Sequence, residues 1–202
     1  MATYKEKVGT AVQSFDNDPD NPIVGQLWYN KTAAEFRYQE EAYGNSWSSG
    51  GNMNSAKIFP GGAGTQTAGL AFGAFNPSTS GATELYNGSS WTELNDLNTA
   101  RGRSGSNGTS TSALGYGGAD PSISKETESW NGTSWTEVND LNQVRQQLEG
   151  SGADNTSALA FGGFNPPTFH ANTESWNGTS WTEVNDLNSA RRDLGGNGTI
   201  TS

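Results

Sequence analysis

Apolar residues along this chain come in short bursts and never in a helical rhythm. GLAFGAF (69–75), ALGYGGA (113–119) and ALAFGGF (158–164) are runs too short for a helix, each punctuated by glycine. They predict short buried strands, with the glycines marking a turn or a close backbone approach. A second pattern, TESWNGTSWTEV (127–138), sets two strand-like runs on either side of Asn131-Gly132. Asn-Gly suits a two-residue type I′ hairpin turn. That turn would pair Trp130 with Thr133 and Glu128 with Trp135, leaving both Trp side chains diagonal on one face. A further strand near each cation would give four strands per unit, so the expectation is an all-β chain.

The same words recur. AYGNSW (42–47), LYNGSSW (85–91) and SWNGTSW (129–135 and 175–181) end on Trp47, Trp91, Trp135 and Trp181, at spacings of 44, 44 and 46. Ten residues after each Trp stands a cation: Lys57, Arg101, Arg145 and Arg191. One such unit cannot bury its aromatic face alone, so neighbours must stack. Phe72 to Trp91, Tyr116 to Trp135 and Trp28 to Trp47 all span 19 residues, which makes GQLWYN (25–30) a diverged copy of GLAFGAF. GGNGTITS (195–202) likewise matches GGAGTQTA (61–68). The units expected are 25–68, 69–112, 113–157 and 158–202, after an N-terminal tail or anchor of residues 1–24. In-phase ends point to a ring closed by pairing strands of 182–202 with the hairpin of 25–47 in one shared unit, which removes exposed sheet edges. The rival is an open arc whose phased ends join a second copy, a homo-oligomer.

Composition narrows the functional classes. Hydrophobic residues are only 31% and charged residues 16%, a mix that alone would suit disorder, but 7 Trp, 6 Tyr and 8 Phe argue for a folded, turn-rich protein. A formal charge of −10 with 11 scattered cations disfavours nucleic acid and anionic membrane surfaces as partners. There is no Cys, hence no disulfide framework and no thiolate chemistry. The opening MATYKEKVGTAVQSF lacks the apolar core of a cleaved secretion signal, and no run is long enough for membrane insertion.

The order Arg101, then Gly117-Gly118, then Glu128 and Trp130, then Trp135 resembles the kelch repeat, and it recurs over residues 25–202. The resemblance implies a kelch-like β-propeller of four blades of about 44 residues. Gly73-Ala74 in place of a glycine pair, Lys57 in place of Arg and a short turn before the second aromatic depart from that pattern. The wording TESWNGTSWTEVNDLN with an N-terminus reading MATYKE and VGQLWYN is similar to kelch-like repeat proteins of marine tailed bacteriophages, which are thought to be virion components. That resemblance implies a structural protein in an extracellular particle, made in the host cytoplasm, with residues 1–24 meeting other virion proteins and the propeller meeting a host glycan or protein.

Candidate chemistry is sparse. Galactose oxidase-like enzymes on kelch-type propellers need His, Tyr and Cys together, whereas this chain has one His, His170, and no nucleophile with a base beside it, so no enzyme activity and no cofactor are expected. Asp16, Asp18 and Asp20 alternate as at the start of a Ca²⁺-binding loop, but Asn21 and Leu27 replace the Gly and Glu such a loop requires, leaving a weak metal candidate in what reads as a solvated linker. The Asn-X-Ser/Thr triplets read as turn geometry. The repeated Trp residues and Arg101, Arg145 and Arg191 read as blade packing and as cations bonding neighbouring backbone. Ligand specificity belongs instead in the unequal loops 75–81, 119–125 and 164–171. Their candidate binding residues are Asn76, Asp120, Phe164, Phe169 and His170.

Overall fold

A computed structural model describes residues 12–20, 26–38, 49–75 and 78–199. All regular structure among them is β, in two compact units, residues 1–48 and 49–202.

In the first unit, β1 (Gln13–Phe15) lies parallel to β2 (Leu27–Asn30), and β2 is antiparallel to β3 (Glu35–Tyr38). β1 falls within the stretch assigned above to the tail. Trp28 is buried and donates its Nε1–H to Asp18 Oδ1 at 3.0 Å.

The second unit repeats one sheet three times. The first sheet runs β4 (Gly61–Thr65), β5 (Ala68–Phe75), β6 (Thr79–Tyr86), β7 (Trp91–Glu93). The second comprises β8 (Gly105–Thr109), β9 (Ser112–Tyr116), β12 (Thr127–Trp130) and β13 (Trp135–Val138). The third comprises β14 (Glu149–Asp154), β15 (Ser157–Phe161), β18 (Thr173–Trp176) and β19 (Trp181–Val184). Every pair within these sheets is antiparallel and joins strands consecutive in the meander. Small hairpins β10 (Ala119–Asp120) with β11 (Ser122–Ile123), and β16 (Phe164–Asn165) with β17 (Thr168–Phe169), interrupt the second and third. Each meander begins four residues after its cation, as Gly61 follows Lys57, so the additional strand near the cation is the first of its sheet.

The expected hairpin register is wrong by two residues. Trp130 stands opposite Trp135 and Glu128 opposite Glu137. A two-residue type I′ turn needs positive φ at both central positions. Here Gly132 has φ 91°, but Asn131 is not among the residues with positive φ. Its Oδ1 instead accepts from the backbone N–H of Thr133 and Ser134, both at 2.9 Å, which builds a four-residue loop. Asn87 and Asn177 make the same pair of bonds in the other two sheets. The Trp rings still share a face, 5.2 Å apart for Trp130 and Trp135.

Sheets adjacent in sequence pack through aromatics. Phe72 of β5 meets Trp135 of β13 at 4.5 Å, and Tyr116 of β9 meets Trp181 of β19 at 4.9 Å. The Phe72 ring fills the space that a side chain at Gly115 would need, since a Cβ there would sit 2.7 Å from it. Trp135 Nε1–H and Trp181 Nε1–H donate to Thr83 and Thr127 hydroxyls of the preceding sheet, at 3.0 and 3.1 Å, so buried indole polarity is satisfied between sheets.

Candidate functional site

The second unit carries an ionic staple repeated in each sheet, a polar cleft along the first strands, and a third constellation at its loop end. The first is ionic. Arg145 is fully buried, and its Nη2 lies 2.7 Å from Glu174 Oε1. Its Nη1 donates to the carbonyls of Gly162 and Asn172 at 3.0 and 2.7 Å. Arg101 Nη1 lies 3.0 Å from Glu128 Oε1, and Lys57 Nζ 3.4 Å from Glu84 Oε1. Each cation leads into a sheet and each glutamate sits on the third strand of that sheet.

A second clasp ties each glutamate to the preceding segment. Asn98 and Asn142 each donate both backbone and side-chain N–H to Glu128 Oε2 and Glu174 Oε2, all at 2.8 Å. Asn54 does the same for Glu84 at 2.7 and 3.0 Å. Burial works against ionisation of Glu84, but the backbone N–H of Asn54, the Ser55 hydroxyl and N–H and the charge of Lys57 outweigh it and hold its carboxyl below the ordinary value. Each of these carboxylates accepts three or more donors from the preceding segment, so they staple the fold. Arg191 differs: it is exposed, and its side-chain bonds among the described residues run only to Ser189 in its own turn.

The second constellation is a polar cleft of about 570 Å³ lined by the glycine-rich first strands β4, β8 and β14 and by residues 196–199. Ser106 Oγ donates to Gly62 O at 2.9 Å, Asn107 Nδ2 to Asp154 O at 2.8 Å, and Gly152 N–H to Gly198 O at 3.1 Å. Glu149 borders the cleft, where burial raises its carboxyl above the ordinary value against the opposing bond from Gly150 N–H.

No protein-family model matches this chain, and no curated protein matches it significantly.

The third constellation is the loop end. Phe164 and Phe169 face each other across the β16–β17 hairpin with rings 5.0 Å apart, and Arg192 lies over both, 4.5 and 5.3 Å from their centroids. Phe169 is 49% exposed. His170 does not join them chemically: its Nδ1 lies 3.2 Å from Asn172 Oδ1, and its backbone N–H donates to Gly163 O at 2.9 Å. Asp120 belongs to β10, on the corresponding hairpin of the second sheet. Asn76 and Trp47 lie outside the described residues.

The remaining sequence candidates are dispersed. Trp91 donates to Gly51 O at 3.1 Å, while Trp135 and Trp181 form the aromatic contacts between sheets. In the first unit Asp18 accepts from Asn30 and Trp28 and pairs with Arg37; the Asn30 and Trp28 bonds are the main reason its carboxyl is held below the ordinary value. Asp16 pairs with Lys31 at 2.9 Å. Asp16 and Asp18 thus pair with different cations, and no group of three or more metal-ligating side chains occurs among the described residues.

Two features escaped the sequence reading. The glutamates sit in TESW-type words that look like alternating surface strands, and their burial shows only when they are counted from the preceding cation, 27, 27 and 29 residues on. Arg103 and Arg192 occur once each at their repeat positions, so periodicity passes over them.

Proposed function

We propose that this chain is a non-enzymatic virion protein, a four-bladed kelch-like propeller displayed on a phage particle. Residues 1–24 attach it to other virion proteins, and the loops of 75–81, 119–125 and 164–171 face the host surface or neighbouring subunits. One observation carries this reading: the repeated residues of the second unit spend their hydrogen-bonding capacity on one another, whereas the side chains at its loop end differ from sheet to sheet. Closure of the ring within one chain, by sharing the fourth blade between 182–202 and 25–47, is part of the proposal. It is supported by GGNGTITS (195–202) repeating the word GGAGTQTA (61–68) and by residues 196–199 lining the same cleft as the three first strands. Mass spectrometry of purified particles tests the virion assignment; the chain is expected among the particle proteins, and its absence from them rejects the assignment.

A second reading, a lectin-like carbohydrate-binding propeller, is favoured by the stacked Phe164 and Phe169 beneath Arg192. A glycan array with the intact chain and with F169A separates it from the first, because loss of a glycan signal on substitution is specific to binding at that hairpin.

A further inference from the structure

The loop end of the second unit carries two arginine–aromatic clusters. Arg103 lies over Phe59 and Phe75, 5.1 and 5.6 Å from their centroids, as Arg192 lies over Phe164 and Phe169. Phe59 and Phe75 are 48% and 40% exposed, so these rings are presented and not cored. The two clusters are joined: Arg103 Nη1 donates to Gln146 Oε1 at 3.4 Å and Arg192 Nη1 to Gln147 Oε1 at 3.3 Å. The guanidiniums thus rest on consecutive glutamines, close enough for one extended ligand to reach both.

Charge separates these arginines from the buried ones. Arg101 and Arg145 are neutralised by Glu128 and Glu174, whereas Arg103 is held by a neutral amide. Arg192 pairs through its Nε with Asp193 at 3.3 Å, a carboxylate that also accepts from Gln147 Nε2 at 2.7 Å, which leaves its Nη2 edge as the open one. Among the described residues neither Nη2 is committed to a hydrogen bond. In a chain of net charge −10, two arginine forks set among exposed rings form a local cationic site with apolar platforms.

We propose that this face binds an acidic saccharide bearing carboxylates on successive sugar units. Each carboxylate pairs with one guanidinium through its Nη2 and the pyranose C–H faces lie on the exposed Phe rings, while the buried Gln146 and the half-buried Gln147, whose Nε2 donates to Asp193 at 2.7 Å, hold the guanidiniums in place. A neutral glycan would leave both Nη2 groups without an anionic partner, and a flexible acidic peptide would satisfy the charge but offer no flat apolar face to the rings. The inference rests on the reading that the loop end meets a host surface.

The repeat itself supplies conservative test variants. Arg103 shares its repeat position with Gln147, and both hold positive φ, 60° and 54°. Arg192 shares its position with Gln146. R103Q and R192Q therefore install side chains the fold already accepts at those places. Binding of the full chain to oligogalacturonate is measured by calorimetry, beside its methyl-esterified form and poly-glutamate. The expected result is binding to the acid that weakens with salt, falls about tenfold in either variant, and disappears in the double variant with unchanged melting temperature, with the ester and the peptide bound at least tenfold more weakly. Equal binding of ester and acid, equal binding of poly-glutamate, no binding of the acid, or an unaffected double variant each overturns the proposal. If the chain is found in particles but binds no acidic glycan, only this inference fails. If it binds the glycan but is missing from particles, the virion reading fails instead.

Discussion

Arg145→Ala is the most informative single change in the stapled core. Arg145 is 0% exposed and holds Glu174 at 2.7 Å together with the carbonyls of Gly162 and Asn172. Removing one partner of a buried pair leaves the other charge uncompensated, at a cost of about 3–5 kcal/mol. Asn142 still donates twice to Glu174, which places the expectation near the lower end. For a chain of this size that corresponds to a drop of roughly 6–20 °C in melting temperature, taking about 2–4 °C per kcal/mol. Arg145→Lys keeps the charge and copies Lys57, which reaches Glu84 at 3.4 Å and one carbonyl, Ala82 O, at 3.1 Å. With fewer charge-assisted bonds to carbonyls it is expected to cost about 2 kcal/mol. Lys125→Ala, at an exposed pair 3.8 Å from Asp140, serves as the control and should stay within about 0.5 kcal/mol. Urea unfolding followed by Trp fluorescence reads all three. A loss under 1 kcal/mol for Arg145→Ala, or equal losses for Arg145→Ala and Lys125→Ala, would refute the stapling argument.

Three further outcomes are expected. Burial raises the Glu149 carboxyl in the folded state, so its contribution to stability is present below the ordinary carboxylate value near 4.5 and is lost as pH rises through the folded-state value. Glu149→Gln should therefore raise the melting temperature at pH 7 and approach the parent below about pH 4; a destabilised variant at pH 7 contradicts this. Gly117 has φ 63°, and a Cβ there would lie 2.6 Å from Arg145 O, so Gly117→Ala should lose more than about 1 kcal/mol in the same urea assay, and a neutral result would show the turn to be freer than drawn. Asn131→Ala removes the acceptor of two backbone N–H groups in an exposed turn and should cost about 1 kcal/mol, whereas an unchanged midpoint would mean that water replaces the side chain at no loss.

The strands ALGYGG and TESW were legible because apolar residues, glycine and the Asn-Gly punctuation all point to short β elements. Their hairpin register was not, because a side-chain acceptor on Asn131 competes with the two-residue turn and widens the loop by two residues. The first strands GGAGT and GSNGT carry no hydrophobic signature at all. They form because the Phe72 and Tyr116 rings cover Gly61 and Gly105, where a Cβ would lie 2.6 and 2.4 Å away, a constraint that resides in the neighbouring strand. The burial of Glu84, Glu128 and Glu174 does not show in their own strands, since their partners come from earlier segments. At the loop end, the aromatic hairpin of Phe164 and Phe169 was readable from its composition. The arginines above the rings were not, because each belongs to a different segment of the chain.

The proposed closure of four blades within one chain is tested most directly by small-angle X-ray scattering with in-line mass measurement. A chain closed on itself is expected as a monomer with a radius of gyration of about 17 Å, the value for a compact chain of 202 residues. A dimeric or larger mass, or a monomer with a clearly larger radius, would contradict closure within one chain.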